Sequence, residues 1–162
     1  MFNKEKLTAM AVMLLAAVLL AAPAWAGLGI ERSNGQTVYV PVYSHIAIGD
    51  KEKPFYLTVT ISIRNTDFEH GLTITDADYY NTDGQLIKAY LNKPIDLKAM
   101  ASIQFVVEES DKAGGIGANF IIKWQSEHDI NCPIIESIMI GASGQQGISF
   151  TSRGQVIRDS TD

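Results

Sequence analysis

His128 and Cys132 are separated by three residues, and Glu127 and Asp129 flank the histidine. Imidazole and thiolate together suit zinc or copper, and His45 or His70 could join them from loops. Two ligands fall short of the four that a structural zinc site uses. The competing account is an exposed histidine and a small half-buried thiol beside Pro133. No metal is assigned, and His128 and Cys132 stand only as candidate ligands. Cys132 is also the single cysteine of the chain. In an oxidising compartment an unpaired cysteine can link two chains; the plainer reading is a buried, unreactive thiol.

Other constellations fail on context. Gly115-Ile116-Gly117-Ala118-Asn119-Phe120 begins like a dinucleotide-binding glycine run, but it leads into a strand pattern and offers no helix N-terminus to a phosphate. Gly141-Ala142-Ser143-Gly144-Gln145 approaches a nucleophile elbow, yet Gln145 stands where a second glycine is required and no helical pattern follows. Ser143 reads as a turn residue. Asp76, Asp78, Asn81 and Asp83 are rich in oxygen, but their spacing is not that of a calcium loop. Glu108, Glu109 and Asp111 read as an acidic turn. No catalytic residue and no cofactor-binding residue is assigned, no cofactor is implied, and the chain is not expected to be an enzyme. Tyr39, Tyr43, Tyr79 and Tyr80 fit strands with a wet hydroxyl end, whereas Trp124 lies on an apolar face and is a core candidate.

The elements that must position these residues follow from patterning. In the 162-residue chain, Lys4 and Lys6 precede an apolar run from Leu7 to Ala22, and Ala24-Trp25-Ala26 follows. A basic start, a short apolar stretch and a small-x-small site make residues 1–26 a secretory signal peptide, cleaved after Ala26. An uncleaved membrane anchor is the rival, since about 20 apolar residues span a bilayer. The mature form is expected to be exported to the periplasm or beyond, and not to span the membrane. It carries 11 basic against 17 acidic side chains. That balance argues against a phosphate-binding surface and a nucleic-acid partner.

Period two dominates residues 27–162, read as a single domain. Phe55, Leu57, Val59, Ile61 and Ile63 alternate with polar neighbours, as do Ile103, Phe105 and Val107, and Ala118, Phe120, Ile122 and Trp124. Val38, Val40 and Val42 form a similar run whose Pro41 suggests an edge strand. Leu72–Asn81 and Gln85–Leu91 flank Asp83-Gly84 and should pair as a hairpin. Ile134–Ile140 looks like a central strand covered on both faces. Ile148–Phe150 and Gln155–Ile157 suggest a last hairpin around Gly154. Seven or eight short strands make an immunoglobulin-like antiparallel β-sandwich the leading all-β architecture, with a small antiparallel β-barrel as its competitor.

Three phrases carry a resemblance: Thr37-Val38-Tyr39-Val40-Pro41-Val42-Tyr43-Ser44-His45, Gly117-Ala118-Asn119-Phe120-Ile121, and Gly144 to Gly154, Gly-Gln-Gln-Gly-Ile-Ser-Phe-Thr-Ser-Arg-Gly. The chain resembles the bacterial DUF3124 family of small exported proteins over about Gly35 to Ile157. The resemblance implies bacterial origin and export, and brings no catalytic residues. The expected function is a non-enzymatic module that binds an unidentified protein partner in the cell envelope, with Gln145, Gln146 and Arg153 as a possible interaction surface. The alternative is a periplasmic protein that binds a small molecule or metal ion.

Overall fold

The alternating runs become strands because their β-branched and aromatic residues can bury one pleated face while the other stays wet. In the computed structural model, which describes residues 30–160, they build two open antiparallel sheets. One contains β1 (Arg32–Pro41), β5 (Leu72–Tyr80), β6 (Leu86–Ala89), β9 (Asn119–Asn131) and β12 (Gln155–Asp159), in the order β12-β1-β9-β5-β6, with β7 (Ile95–Leu97) also on β5. The other has β4 (Thr58–Arg64), β8 (Ser102–Val107), β10 (Ile134–Ser143) and β11 (Gln146–Arg153), in the order β11-β10-β4-β8. A separate hairpin pairs β2 (His45–Ile48) with β3 (Lys53–Tyr56). Neither sheet closes on itself, so the architecture is the sandwich and not the barrel. Residues 1–26, expected from the sequence to be a signal peptide, lie outside the described residues. Among the described residues no helix is long and apolar enough to cross a membrane.

The core lies between the sheets. Val38, Val40, Ile74, Phe120, Ile122 and Trp124 face Val59, Ile61, Ile63, Ile135 and Met139, all buried. Each such side chain contributes about 1.5–3 kcal/mol when fully buried. The Asp83-Gly84 hairpin forms as the sequence predicts, with Gly84 at φ 75°.

Several expectations are corrected. Twelve strands appear among the described residues. The run from Phe55 to Ile63 changes partner at Leu57, from β2 on one side to β10 and β8 on the other. Strand β1 is interior, between β9 and β12, and not an edge. It tolerates Pro41 because β12 reaches only to Tyr39, so no ladder bond is lost beyond that point. Strand β10 is central, but only its inner face is covered: Ile135, Ser137, Met139 and Gly141 are buried, while Ile140 is 55% exposed. The last hairpin does not exist, since β11 pairs with β10 and β12 with β1. Gly154 is the crossing between the sheets, and a Cβ there would lie 2.7 Å from Val38 Cγ1 and 3.0 Å from the Ile135 carbonyl oxygen. Tyr79 is not a rim residue. It is buried and stacked on Phe120 at 5.1 Å, and burial pushes its phenol well above the usual tyrosine range.

Candidate functional site

His128 lies within β9, which a large bulge distorts there. Register runs from Gly35 opposite Gln125 to Ser33 opposite Ile130. Asn34 alone therefore faces the four residues Ser126 to Asp129, which the ladder cannot pair and which swing out of the sheet. The bulge is pinned at both ends. Ser126 Oγ donates to the Gly71 carbonyl at 2.9 Å and accepts the His128 N–H at 3.3 Å. Arg32 donates to the carbonyl of Asp129, to its carboxylate at 3.3 Å and to Asn131 Oδ1 at 3.1 Å.

Opposite the bulge stands the β4–β5 connection, built on Asn65 and Asp67. Asn65 Oδ1 accepts the Asp67 N–H at 3.0 Å, and its amide donates to the carbonyls of His70 and Lys98. Asp67 Oδ1 accepts the N–H groups of Glu69 and His70, and Oδ2 that of Asn131 at 3.1 Å. Asp67 is buried. The hydrogen bonds it receives, first those from Glu69, His70 and Asn131, hold its carboxyl far below the usual carboxylate range despite the burial.

This turn aims His70 at His128. His70 Nδ1 lies 3.4 Å from Asp67 Oδ1, and the two imidazole centroids are 4.1 Å apart at an interplanar angle of 48°. The rings line one side of an open cleft of about 640 Å³, together with Glu69, Asp96, Lys98 and Glu127. Its two hydroxyls are both committed as donors, Ser126 to Gly71 and Thr73 to Asp96 Oδ1 at 2.7 Å. Neither is offered to an imidazole as an activated nucleophile would be. Chemically, the arrangement presents two bases and a surplus of carboxylates to solvent, which suits a cation better than an acyl group.

A family model described as "Protein of unknown function (DUF3124)" matches residues 35–157. The chain belongs to the DUF3124 family. Both rings of the cleft and all residues weighed in the sequence as sites fall within the matched span of this DUF3124 domain. One solved structure, "Crystal Structure of Thermotoga maritima 1070", aligns at a TM-score of 0.47 and 11% identity, covering 77% of this chain and 97% of that one. So distant a likeness carries no argument. No curated protein matches the sequence.

Of the residues that the sequence singles out, the DUF3124 domain brings His70 and His128 together and keeps the others apart. His45 lies beyond the Pro41 end of β1, whereas His128 lies by its Arg32 end, and the ring contact of His45 is with Tyr56. Cys132 follows β9, its N–H on the Glu31 carbonyl and its carbonyl accepting from Thr66 Oγ1. Its thiol is half-buried against the core, and burial, aided by the Glu31 charge, pushes it up to about 11. Among the described residues no group of three or more His, Cys, Asp or Glu is assembled to hold a metal.

The remaining candidates have structural roles or stand separately. Gln145 and Gln146 sit at the β10–β11 turn, but Arg153 ends β11 opposite Glu136. Seven strand residues put Arg153 roughly 23 Å from Gln146. Gly141 is explained by packing: a Cβ there would clash with the Tyr56 carbonyl and lie 2.6 Å from Phe55 Cε1. The glycine run is a clasp, in which Gly115 (φ 82°) exchanges bonds with Ser44 Oγ, and Thr82 Oγ1 bonds Gly114 and Gly117. Asp76 pairs with Lys123 at 3.6 Å on the wet face of β5. The sequence reading missed Asn65 and Asp67. The signal was there in Asn65-Thr66-Asp67 between two strands, since Asn and Asp side chains grip backbone a few residues on.

Proposed function

We propose that this DUF3124 domain is an exported, non-enzymatic binding module of the cell envelope, and that it engages a protein partner through the outer face of its four-stranded sheet. The observation that carries this is a charge-free stretch of that face. Cross-strand pairing lines up Thr151, Ile138, Thr60 and Val106 in one row, and Ser149, Ile140 and Thr58 in the next. Ile140 and Val106 are 55% and 43% exposed. Charge borders the stretch, with the Arg64–Glu136 pair at 3.4 Å and Arg153 in the rows beyond and Glu108 directly after Val107 at the β8 edge. A contiguous apolar and hydroxyl patch on an acidic protein favours a neutral, apolar partner surface. Gln145 and Gln146 lie past the Ile140 end of the same sheet. The basic, apolar and small-x-small segment before Gly27 supports export.

Site-specific photo-crosslinking in cells tests the reading. A photoreactive side chain at Ile140 or Thr60 is expected to yield a discrete protein adduct, absent when it is placed at Tyr39 on the other sheet, and abolished by Ile138→Lys. Absence of any adduct at the first two positions overturns the binding face. N-terminal sequencing of the purified protein should begin at Gly27; an intact Met1 start in the envelope fraction overturns cleavage.

A further inference from the structure

We infer that His70 and His128 bind one divalent late transition-metal ion, with Cu(II) preferred, in the cleft between the β9 bulge and the β4–β5 connection. The site is separate from the proposed partner-binding face and stands or falls independently of it.

The pairing of the rings is the first support. Metal–nitrogen bonds of about 2.0–2.1 Å place two neighbouring donor nitrogens roughly 2.8 Å apart in the square-planar geometry of Cu(II) and about 3.3 Å apart in a tetrahedral site. Rings with centroids 4.1 Å apart and tilted by 48° already stand close to that spacing, and the exposed His128 ring is the one free to turn toward the His70 Nε2 while His70 stays on Asp67. A packing pair has no need to be polar, whereas these two rings stand at the lip of an open cleft, His128 exposed and His70 half-buried.

Asp67 is the second support. A ligating imidazole commonly hands its other ring nitrogen to a carboxylate, which fixes the tautomer and makes the free nitrogen a better donor. His70 Nδ1 faces Asp67 Oδ1 at 3.4 Å, so Nε2 is the nitrogen left for a metal. The carboxylate is itself held by three backbone N–H groups. It is thus a positioning residue fixed before any ion arrives.

Charge is the third. Glu69, Asp96 and Glu127 line the cleft against one ammonium, Lys98, so the local field favours a cation. Two imidazoles completed by water or a mobile carboxylate suit copper, nickel or zinc over calcium or magnesium, and the Irving–Williams order puts copper first. With no third protein ligand preassembled among the described residues, binding is exchangeable and not structural.

Titration of purified protein with CuCl₂, followed by calorimetry and electron paramagnetic resonance, decides the matter. One ion per chain is expected, with hyperfine structure from two imidazole nitrogens. His128→Ala, an exposed position that leaves the fold intact, should weaken binding roughly tenfold or more, as should His70→Ala. Asp67→Asn should weaken it about tenfold and alter the spectrum while keeping one ion per chain. Cys132→Ser should change nothing. Failure of the wild type to bind, retention of wild-type affinity by the His70→Ala/His128→Ala double variant, or loss of binding in Cys132→Ser overturns the site.

Discussion

Replacing Ser137 by Ala tests how the two sheets are held at the Pro41 end. Ser137 is fully buried on the inner face of β10, and its hydroxyl donates to the Pro41 carbonyl of β1 at 2.6 Å. That carbonyl belongs to the sheet opposite, and it lies past Tyr39, the last β1 residue that β12 pairs. Alanine removes the donor and leaves a half-buried acceptor without its partner, which costs about 1–3 kcal/mol. The oxygen it removes is small, so the added cavity cost is slight. For a domain of this size the loss corresponds to a Tm lowered by roughly 4–12 °C. Calorimetry and urea unfolding measure it, and the m value should not change, because the surface exposed on unfolding is the same. Ser149→Ala, on the exposed face of β11, is the control and should stay within about 0.5 kcal/mol of wild type. A Ser137→Ala protein melting within about 1 °C of wild type would refute the reasoning, because the inter-sheet hydrogen bond would then contribute nothing.

Three further outcomes follow from the same contacts. Gly141→Ala drives a methyl group onto the Tyr56 carbonyl and the Phe55 ring, and should destabilise by about 1–3 kcal/mol or more, read by urea unfolding; wild-type stability would show that the close approach is relaxed in solution. Cys132, with its thiol pushed up to about 11, stays protonated at neutral pH, so an aromatic disulfide reagent should label it far more slowly in the native protein than in urea; equal rates would contradict its burial. Asp67 has a folded pKa depressed below its unfolded value of 3.8, so its contribution is present above that value and fades as pH falls below it. Asp67→Ala should therefore lower the Tm at neutral pH and flatten the Tm profile below about pH 4, and an unchanged acid limb would exclude Asp67 as its source.

Strand positions were legible because they are local. Alternation in Phe55–Ile63, Ala101–Val107 and Ala118–Trp124 needs only the two-residue period of an extended chain and one buried face. The Asp83-Gly84 hairpin was legible for the same reason, since one residue pair sets its backbone. Where a reading used sequence proximity as a guide to pairing, it failed. Gln155–Ile157 follows β11 closely, yet Gly154 lets the chain cross to the other sheet, and the choice rests on the space between Val38 and Ile135. Pro41 marked an edge only if its strand had a neighbour along its full length. Ile134–Ile140 read as covered on both faces because apolar residues on an exposed sheet face look like core when no neighbour is in view.

The candidate cleft shows the division most clearly. The sequence by itself determined an acidic, strand-built chain with a basic and apolar N-terminal stretch, a single thiol, and the DUF3124 phrases. It also contained Asn65, Asp67, His70 and His128, but not their relation. That relation depends on a register shift between Ser33 and Gly35, which expels Ser126–Asp129 from the ladder, and on Asp67 reaching across to the Asn131 N–H. Both are contacts between segments remote along the chain, made only after the sheet has assembled. Tertiary structure alone decided that His128 meets His70 and not Cys132, because side-chain neighbours across a sheet are set by strand order and bulges, and neither is encoded within reach of a local window.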